Sequence, residues 1–132
     1  MAEAPSIYPS YRYRDARAAI DFLRDAFGFE EVARYENDDG TIAHAELRYG
    51  NGMIMLGSHR DGDLYADHVG SEWVYVVVDD ADAHHARAVE HGAEIIMELS
   101  DQDYGSRDYA ARDPEGNTWN FGTYRPSLEP HG

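Results

Sequence analysis

The chain is 132 residues long, with 42% hydrophobic and 28% charged residues. That is the composition of one globular domain and excludes a disordered, collagen-like or membrane-spanning chain. It contains no cysteine and all eleven of its basic residues are arginine, which excludes disulfides, thiolate nucleophiles, Cys-ligated zinc and any lysine chemistry. A formal net charge of −15 repels phosphate backbones and anionic bilayers, so neither nucleic acid nor a membrane is expected as a partner, whereas a cationic ligand is attracted.

The opening stretch MAEAPSIYPS has neither a basic nor an apolar region, so no leader is expected and the expected location is the cytoplasm. Ile7–Tyr13 reads as a strand. Asp15 is an N-cap candidate, and Ala19, Ile20, Leu23 and Phe27 recur at helical spacing within Ala16–Phe27, which Gly28 ends. Phe29–Glu36 and Thr41–Tyr49 read as strands joined by Asn37-Asp38-Asp39-Gly40, and Met53–Gly57 as a fourth strand after Gly50-Asn51-Gly52. Residues 58–71, rich in Asp, Gly and His, form a linker. The order then repeats: strand Glu72–Val78, helix Asp80–His91, and strands Ala93–Leu99, Ser106–Arg112 and Asn117–Thr123. Residues 125–132 are a tail without regular structure.

The repeat is visible residue by residue. Asp15 and Asp80 stand 65 positions apart, as do Ile54–Gly57 (IMLG) and Trp119–Gly122 (WNFG), and Gly28 and Gly92 stand 64 apart. The chain is two copies of one βαβββ unit.

The doubled βαβββ order, together with Val76–Ala83 (VVVDDADA) and Arg112–Phe121 (RDPEGNTWNF), resembles the vicinal oxygen chelate superfamily over about Ile7 to Tyr124. That superfamily holds glyoxalase I, extradiol dioxygenases, fosfomycin-resistance enzymes and bleomycin-resistance proteins. The run YGSRDYAARDPEGN is similar to the small bleomycin-resistance or PhnB-like branch. The resemblance implies an α+β fold in which two tandem βαβββ modules form curved mixed sheets around a concave cavity. Residues 1–132 would then be a single domain: module 7–57, linker 58–71, module 72–124 and tail 125–132. It also implies a homodimer with clefts at the subunit interface.

Metal-using members place their ligands on the first and last strands of each module. Those positions correspond here to Tyr8, Met55, Trp73 and Asn120, all on the 65-residue offset. A phenol, a thioether, an indole and a carboxamide do not make the hard donor set that a divalent ion needs. No metal and no cofactor is therefore expected, and an aromatic, thioether-lined pocket is expected instead. Strand alternation adds Ser10 and Arg12 beside Tyr8, Met53 beside Met55, Tyr75 and Val77 beside Trp73, and Thr118 and Gly122 beside Asn120. On the third strand His44, Glu46 and Arg48 form the polar set, and Ala43, Ala45 and Leu47 face the helix. The expected ligand-binding set is Tyr8, Arg12, His44, Glu46, Met53, Met55, Trp73, Tyr75 and Asn120.

His44 and Glu46, two apart on one strand face, are the acid–base candidates. His84, His85 and His91 on the second helix read as solvated, and His59 and His68 near Asp61, Asp63 and Asp67 as a place for a stray cation. No serine has a nucleophile-elbow setting, and Gly50-Asn51-Gly52 is a turn with no helix after it to hold a phosphate. Three functions follow. The first is a metal-independent protein that sequesters an aromatic or cationic compound. The second is a lyase, isomerase or oxygenase using His44, Glu46 or Tyr8, with a noncanonical metal or none. The third is a protein that shares only the fold.

Overall fold

The computed structural model describes residues 4–130; the first three residues of the N-terminal stretch and the last two of the tail lie outside them. Each module opens on a strand and a capped helix. β1 (Ser10–Tyr13) leads into α1 (Ala16–Phe27), whose first turn is closed by Asp15 Oδ1 accepting from the Ala18 N–H at 3.1 Å. α1 ends at Gly28, whose φ of 80° is the left-handed turn that lets Gly28 N–H reach Arg24 O and Phe29 N–H reach Leu23 O. Then come β2 (Glu30–Glu36), β3 (Ile42–Tyr49) and β4 (Gly52–Ser58). The second module repeats the order with β5 (Trp73–Val77), α2 (Ala81–Glu90), β6 (Glu94–Asp101), β7 (Arg107–Arg112) and β8 (Thr118–Gly122). Asp80 caps α2 as Asp15 caps α1, its Oδ1 accepting from Ala83 N–H at 3.0 Å.

The sheets have the same topology, β1-β4-β3-β2 and β5-β8-β7-β6, with the first pair parallel and the rest antiparallel. Even an ion pair is repeated: Arg48 on β3 meets Glu30 on β2 at 2.8 Å, and Arg112 on β7 meets Glu94 on β6 at 3.4 Å. This is an α+β fold of two βαβββ modules.

Two details depart from the simple alternation. β1 begins at Ser10 rather than Ile7, because Pro9 has no N–H to give the ladder, although its carbonyl still accepts from Met55 N–H at 2.9 Å. On β3, Tyr35 and Glu36 of β2 face His44 and Ile42, so Ala43 is the extra residue of a bulge. Ile42 therefore takes the buried place and Ala43 is exposed.

One cluster of buried side chains draws on both modules. Tyr11 of β1 stacks on Trp119 of β8 with ring centroids 5.0 Å apart, and Phe27 of α1 meets Phe121 of β8 at 4.8 Å. The helix-covered faces of the two sheets thus share the core. The residues that alternate with them lie on faces turned away from it: Ser10, Arg12 and Met55 on one sheet, Trp73, Tyr75 and Asn120 on the other. The Asp113–Asn117 turn locks the modules together. Asp113 is buried and its carboxylate accepts from the Tyr13 hydroxyl at 2.6 Å, Trp119 Nε1 at 3.0 Å, Asn117 Nδ2 at 3.0 Å and the backbone of Glu115 and Asn117. Glu115 accepts from the backbone N–H of Arg14 and Asp15 at 2.6 and 2.8 Å, at the threshold of α1. From the other side, Arg87 of α2 donates to the carbonyls of Asp25 and Arg24 at the end of α1. No helix among the described residues is long and apolar enough to cross a membrane.

Candidate functional site

The helix-free face of the first sheet carries a row set by strand register: Ser10 on β1 stands beside Met55 on β4, Met55 beside Glu46 on β3, and Glu46 beside Ala33 on β2. In the next row Arg12 stands beside Gly57. Over the β1 end of this face the linker folds back through a single 3-10 turn, Ala66–His68. Between linker and sheet lies a cavity of about 470 Å³, lined by Ser10, Arg12, His44, Met55, Tyr65, His68 and Glu72, with Tyr11 and Leu56 completing the wall.

Its polar groups are mostly paired. His44 Nε2 donates to Glu46 Oε2 at 2.9 Å, since a carboxylate only accepts, and the His44 ring stacks on Tyr35 at 6.1 Å. His68 Nδ1 lies 3.4 Å from Glu72 Oε1, and Tyr65 meets His68 edge to face. Arg12 lies under the Tyr65 ring, 5.6 Å from its centroid, and 3.4 Å from Asp63 Oδ2. The Tyr65 N–H, with Arg12 and Arg60 beside it, holds the Asp63 carboxyl below the usual carboxylate range. The Tyr11 phenol is pushed up by burial and then by the charges of Glu72 and Asp113. A cavity of this build offers rings and a thioether for stacking, an arginine, and a His–Glu pair able to pass a proton.

The expected residues do not all converge within one chain. Arg12, His44 and Met55 line the first cavity, and Glu46 reaches it through His44. Met53 and Tyr75 line a second cavity, of about 250 Å³, at the seam between modules, with Ile7, Phe29, Tyr49 and Arg125. Trp73, 74% exposed, donates through Nε1 to Asn120 Oδ1 at 3.0 Å on the face of the second sheet. Tyr75 donates to the Tyr124 carbonyl at 2.7 Å, and burial raises its phenol. Tyr8, half-buried, lines neither cavity. Sequence reasoning missed Tyr65, His68 and Glu72 as cavity residues. The linker carries no periodicity that would have marked them.

His59, His84 and His85 are engaged elsewhere. His84, read from sequence as solvated, is buried: Nε2 donates to Phe27 O at 2.9 Å and Nδ1 accepts from the Tyr109 hydroxyl at 2.6 Å. His59 pairs with Asp61 and His85 with Glu98, both at 3.0 Å. The four positions that correspond to the superfamily's metal ligands do not fit a metal. Asn120 Oδ1 is taken by Trp73, Tyr8 stands off the cavity, and Met55 offers sulfur to a hard ion. Among the described residues no group of three His, Cys, Asp or Glu is placed to hold one.

The family model described as Glyoxalase/Bleomycin resistance protein/Dioxygenase superfamily matches residues 8–121. An uncharacterized protein of Mycobacterium bovis is 31% identical over 125 residues, covering 89% of this chain and 82% of that one. Among solved structures, TioX from Micromonospora sp. ML1 is 33% identical with a TM-score of 0.75, over 90% of this chain and 98% of its own. Glyoxalase I from Zea mays shares the fold at 20% identity and a TM-score of 0.71, over 93% of this chain and 46% of the maize chain. With its doubled βαβββ order and a family match that runs from the first strand to the last, the chain belongs to the glyoxalase/bleomycin resistance protein/dioxygenase superfamily.

Proposed function

We propose that this chain is a metal-independent small-molecule binding protein of the bleomycin-resistance type, which sequesters an aromatic or cationic compound in the cytoplasm and works as a homodimer. The observation that carries the reading is the cavity of about 470 Å³ on the helix-free face of the first sheet, walled by Tyr65, Met55, His44 and Arg12. Its His and Glu side chains are paired with one another, His44 with Glu46 and His68 with Glu72, and among the described residues no three of them are placed to hold a metal, while Tyr65 and Met55 offer a ring and a thioether for stacking. The ligand's ring would stack against Tyr65 and slide along Met55, whose flexible side chain fits irregular outlines.

The dimer enters because Trp73, Tyr75 and Asn120 lie on the second sheet's outward face. A second copy laying that face over the first sheet would close the cavity and bring an exposed indole onto the ligand. Isologous pairing would build two such sites. The test uses the indole itself, because the chain's other tryptophan, Trp119, is buried in the core. Titration with planar aromatic compounds in the presence of a chelator is expected to give a saturable change in emission that Trp73→Phe removes. No response from any compound, or one that requires a divalent ion, contradicts the proposal.

One observation favours a second reading. The His44–Glu46 pair, 2.9 Å apart at the cavity wall, has the geometry of a general acid–base couple, as a lyase or isomerase would need. Under that reading His44→Ala abolishes turnover of a bound compound and leaves its affinity within a few-fold; under sequestration there is no turnover to lose.

A further inference from the structure

The second cavity, about 250 Å³ at the seam between the modules, shares no lining residue with the first. Its floor is the core. Phe29 and Ile54 reach it from the buried cluster of the first module, and Val74 and Val76 of β5 pack against that cluster from the second. Met53 and the exposed Ile7 extend the apolar lining. An apolar body placed there leaves water for the side of the core. At roughly 30 Å³ for each water-sized group, the space takes on the order of eight non-hydrogen atoms.

The polar groups of this cavity are a strand edge and one cation. β5 pairs only with β8, and at its two ends Glu72 O accepts from Thr118 N–H at 2.9 Å and Val78 N–H donates to Gly122 O at 2.8 Å. Backbone direction alternates along a strand, so Val74 and Val76 also turn to β8, while Tyr75 and Val77 turn their N–H and C=O to the free edge. Both line the cavity. Arg125 is the one charged residue of the lining, three positions after Gly122, which stands beside Val77. Arg34 and Arg48 each give Nε and Nη2 to a glutamate, Glu31 and Glu30. Arg125 is exposed and meets no carboxylate among the described residues, in a chain with 26 acidic ones. Arg14 shares that lack of a partner but lines neither cavity. Tyr49, the other titratable group of the lining, has its phenol pushed up by burial and then by Asp79, so it adds no charge.

We infer that the seam cavity is a second binding site, for a short-chain aliphatic acid, with its carboxylate on Arg125 and its chain against Phe29, Ile54, Val74 and Val76. A planar carboxylate accepts from a guanidinium fork and from a backbone N–H at once, and the free edge of β5 supplies the N–H. An amine would meet only a like charge there. The occupant touches both modules, since Phe29 and Ile54 belong to the first and Val74, Val76 and Arg125 to the second. This site stands independently of what the first cavity holds.

The experiment follows the backbone amide signals of isotope-labelled protein by NMR during titration with hexanoate, hexanol and hexylamine, which share a chain and differ in head group. Hexanoate is expected to shift the amides of Gly52, Val76 and Val77 saturably, hexanol more weakly, and hexylamine not at all. Arg125→Gln should weaken hexanoate by about tenfold or more, as the loss of a charge-assisted hydrogen bond does. Arg14→Gln makes the same change of charge away from the cavity and should leave the affinity within about twofold. The same spectra show that both variants keep the wild-type fold. No saturable shift at millimolar hexanoate, shifts confined to amides of the first cavity such as His44 and His68, equal affinity in Arg125→Gln, an equal loss in Arg14→Gln, or hexylamine binding as well as hexanoate overturns the assignment.

Discussion

Asp113 shows how much one buried carboxylate can hold. Its two oxygens accept five hydrogen bonds, three of them from side chains on β1, β8 and its own turn. Asp113→Ala leaves the Tyr13 hydroxyl, Trp119 Nε1 and Asn117 Nδ2 buried without an acceptor, at ~1–3 kcal/mol each. The expected loss exceeds ~3 kcal/mol, measured as a fall in the urea midpoint. The stretch Arg112–Phe121 stood out in the sequence as part of the family resemblance, but nothing in it announced that Asp113 would be buried among these donors. His84 was not, because three neighbouring histidines on one acidic helix read as a solvated face. Burial, with Arg87 nearby, lowers its pKa from 6.5 in spite of the Phe27 carbonyl. The unfolded chain therefore takes up the proton first as pH falls, and the stabilisation present above about pH 6.5 is lost progressively below it. Melting temperature should drop from pH 6.5 towards 5, and His84→Gln, which can still donate to Phe27 O, should flatten that part of the profile.

At the scale of elements, the caps and turns were readable and the departures from alternation were not. Asp15, Gly28 and Asp80 each stand where helix chemistry demands them. The bulge at Ala43 is set by how β3 must pair with β2, a relation between strands that periodicity along one strand does not contain. The linker is the larger omission. It has no periodicity, so nothing in its residues announced that Tyr65 would fold onto Arg12 across β1. Glu115 illustrates an element capped from another module, since its carboxylate serves the backbone N–H groups of Arg14 and Asp15 before α1. Glu115→Ala should cost ~1 kcal/mol, as the loss of a helix cap does, and Glu115→Gln rather less. Both are checked by chemical denaturation.

For the whole molecule, the internal repeat told most of the fold, since two copies of a βαβββ unit must share whatever covers their helices. Which way the sheets face is a different matter. The shared core of Tyr11, Phe27, Trp119 and Phe121 turns both helix-free faces outward, so Tyr35 at 60% exposure and Trp73 at 74% stand on open surface. Of the candidate residues, Tyr8 precedes β1 and the others fall on strands of the two sheets; their division between two faces depends on module packing that no single strand encodes. If a second copy covers these faces, sedimentation should give about twice the 14.9 kDa chain mass, and Trp73→Arg should shift the protein towards monomer. A monomer at all concentrations contradicts the dimer.

The most direct measurement of the central proposal is a thermal-shift comparison on chelator-treated protein, with planar aromatic compounds in one arm and divalent ions in the other. A compound present at 100 times its dissociation constant adds about 2.7 kcal/mol of stability, a shift of several degrees in a domain of this size. The account predicts that shift from a planar aromatic compound with no metal present, and its loss in Trp73→Ala. A shift from a divalent ion alone, abolished in His44→Ala or Glu46→Ala, contradicts it and identifies a metal centre at the pair on β3.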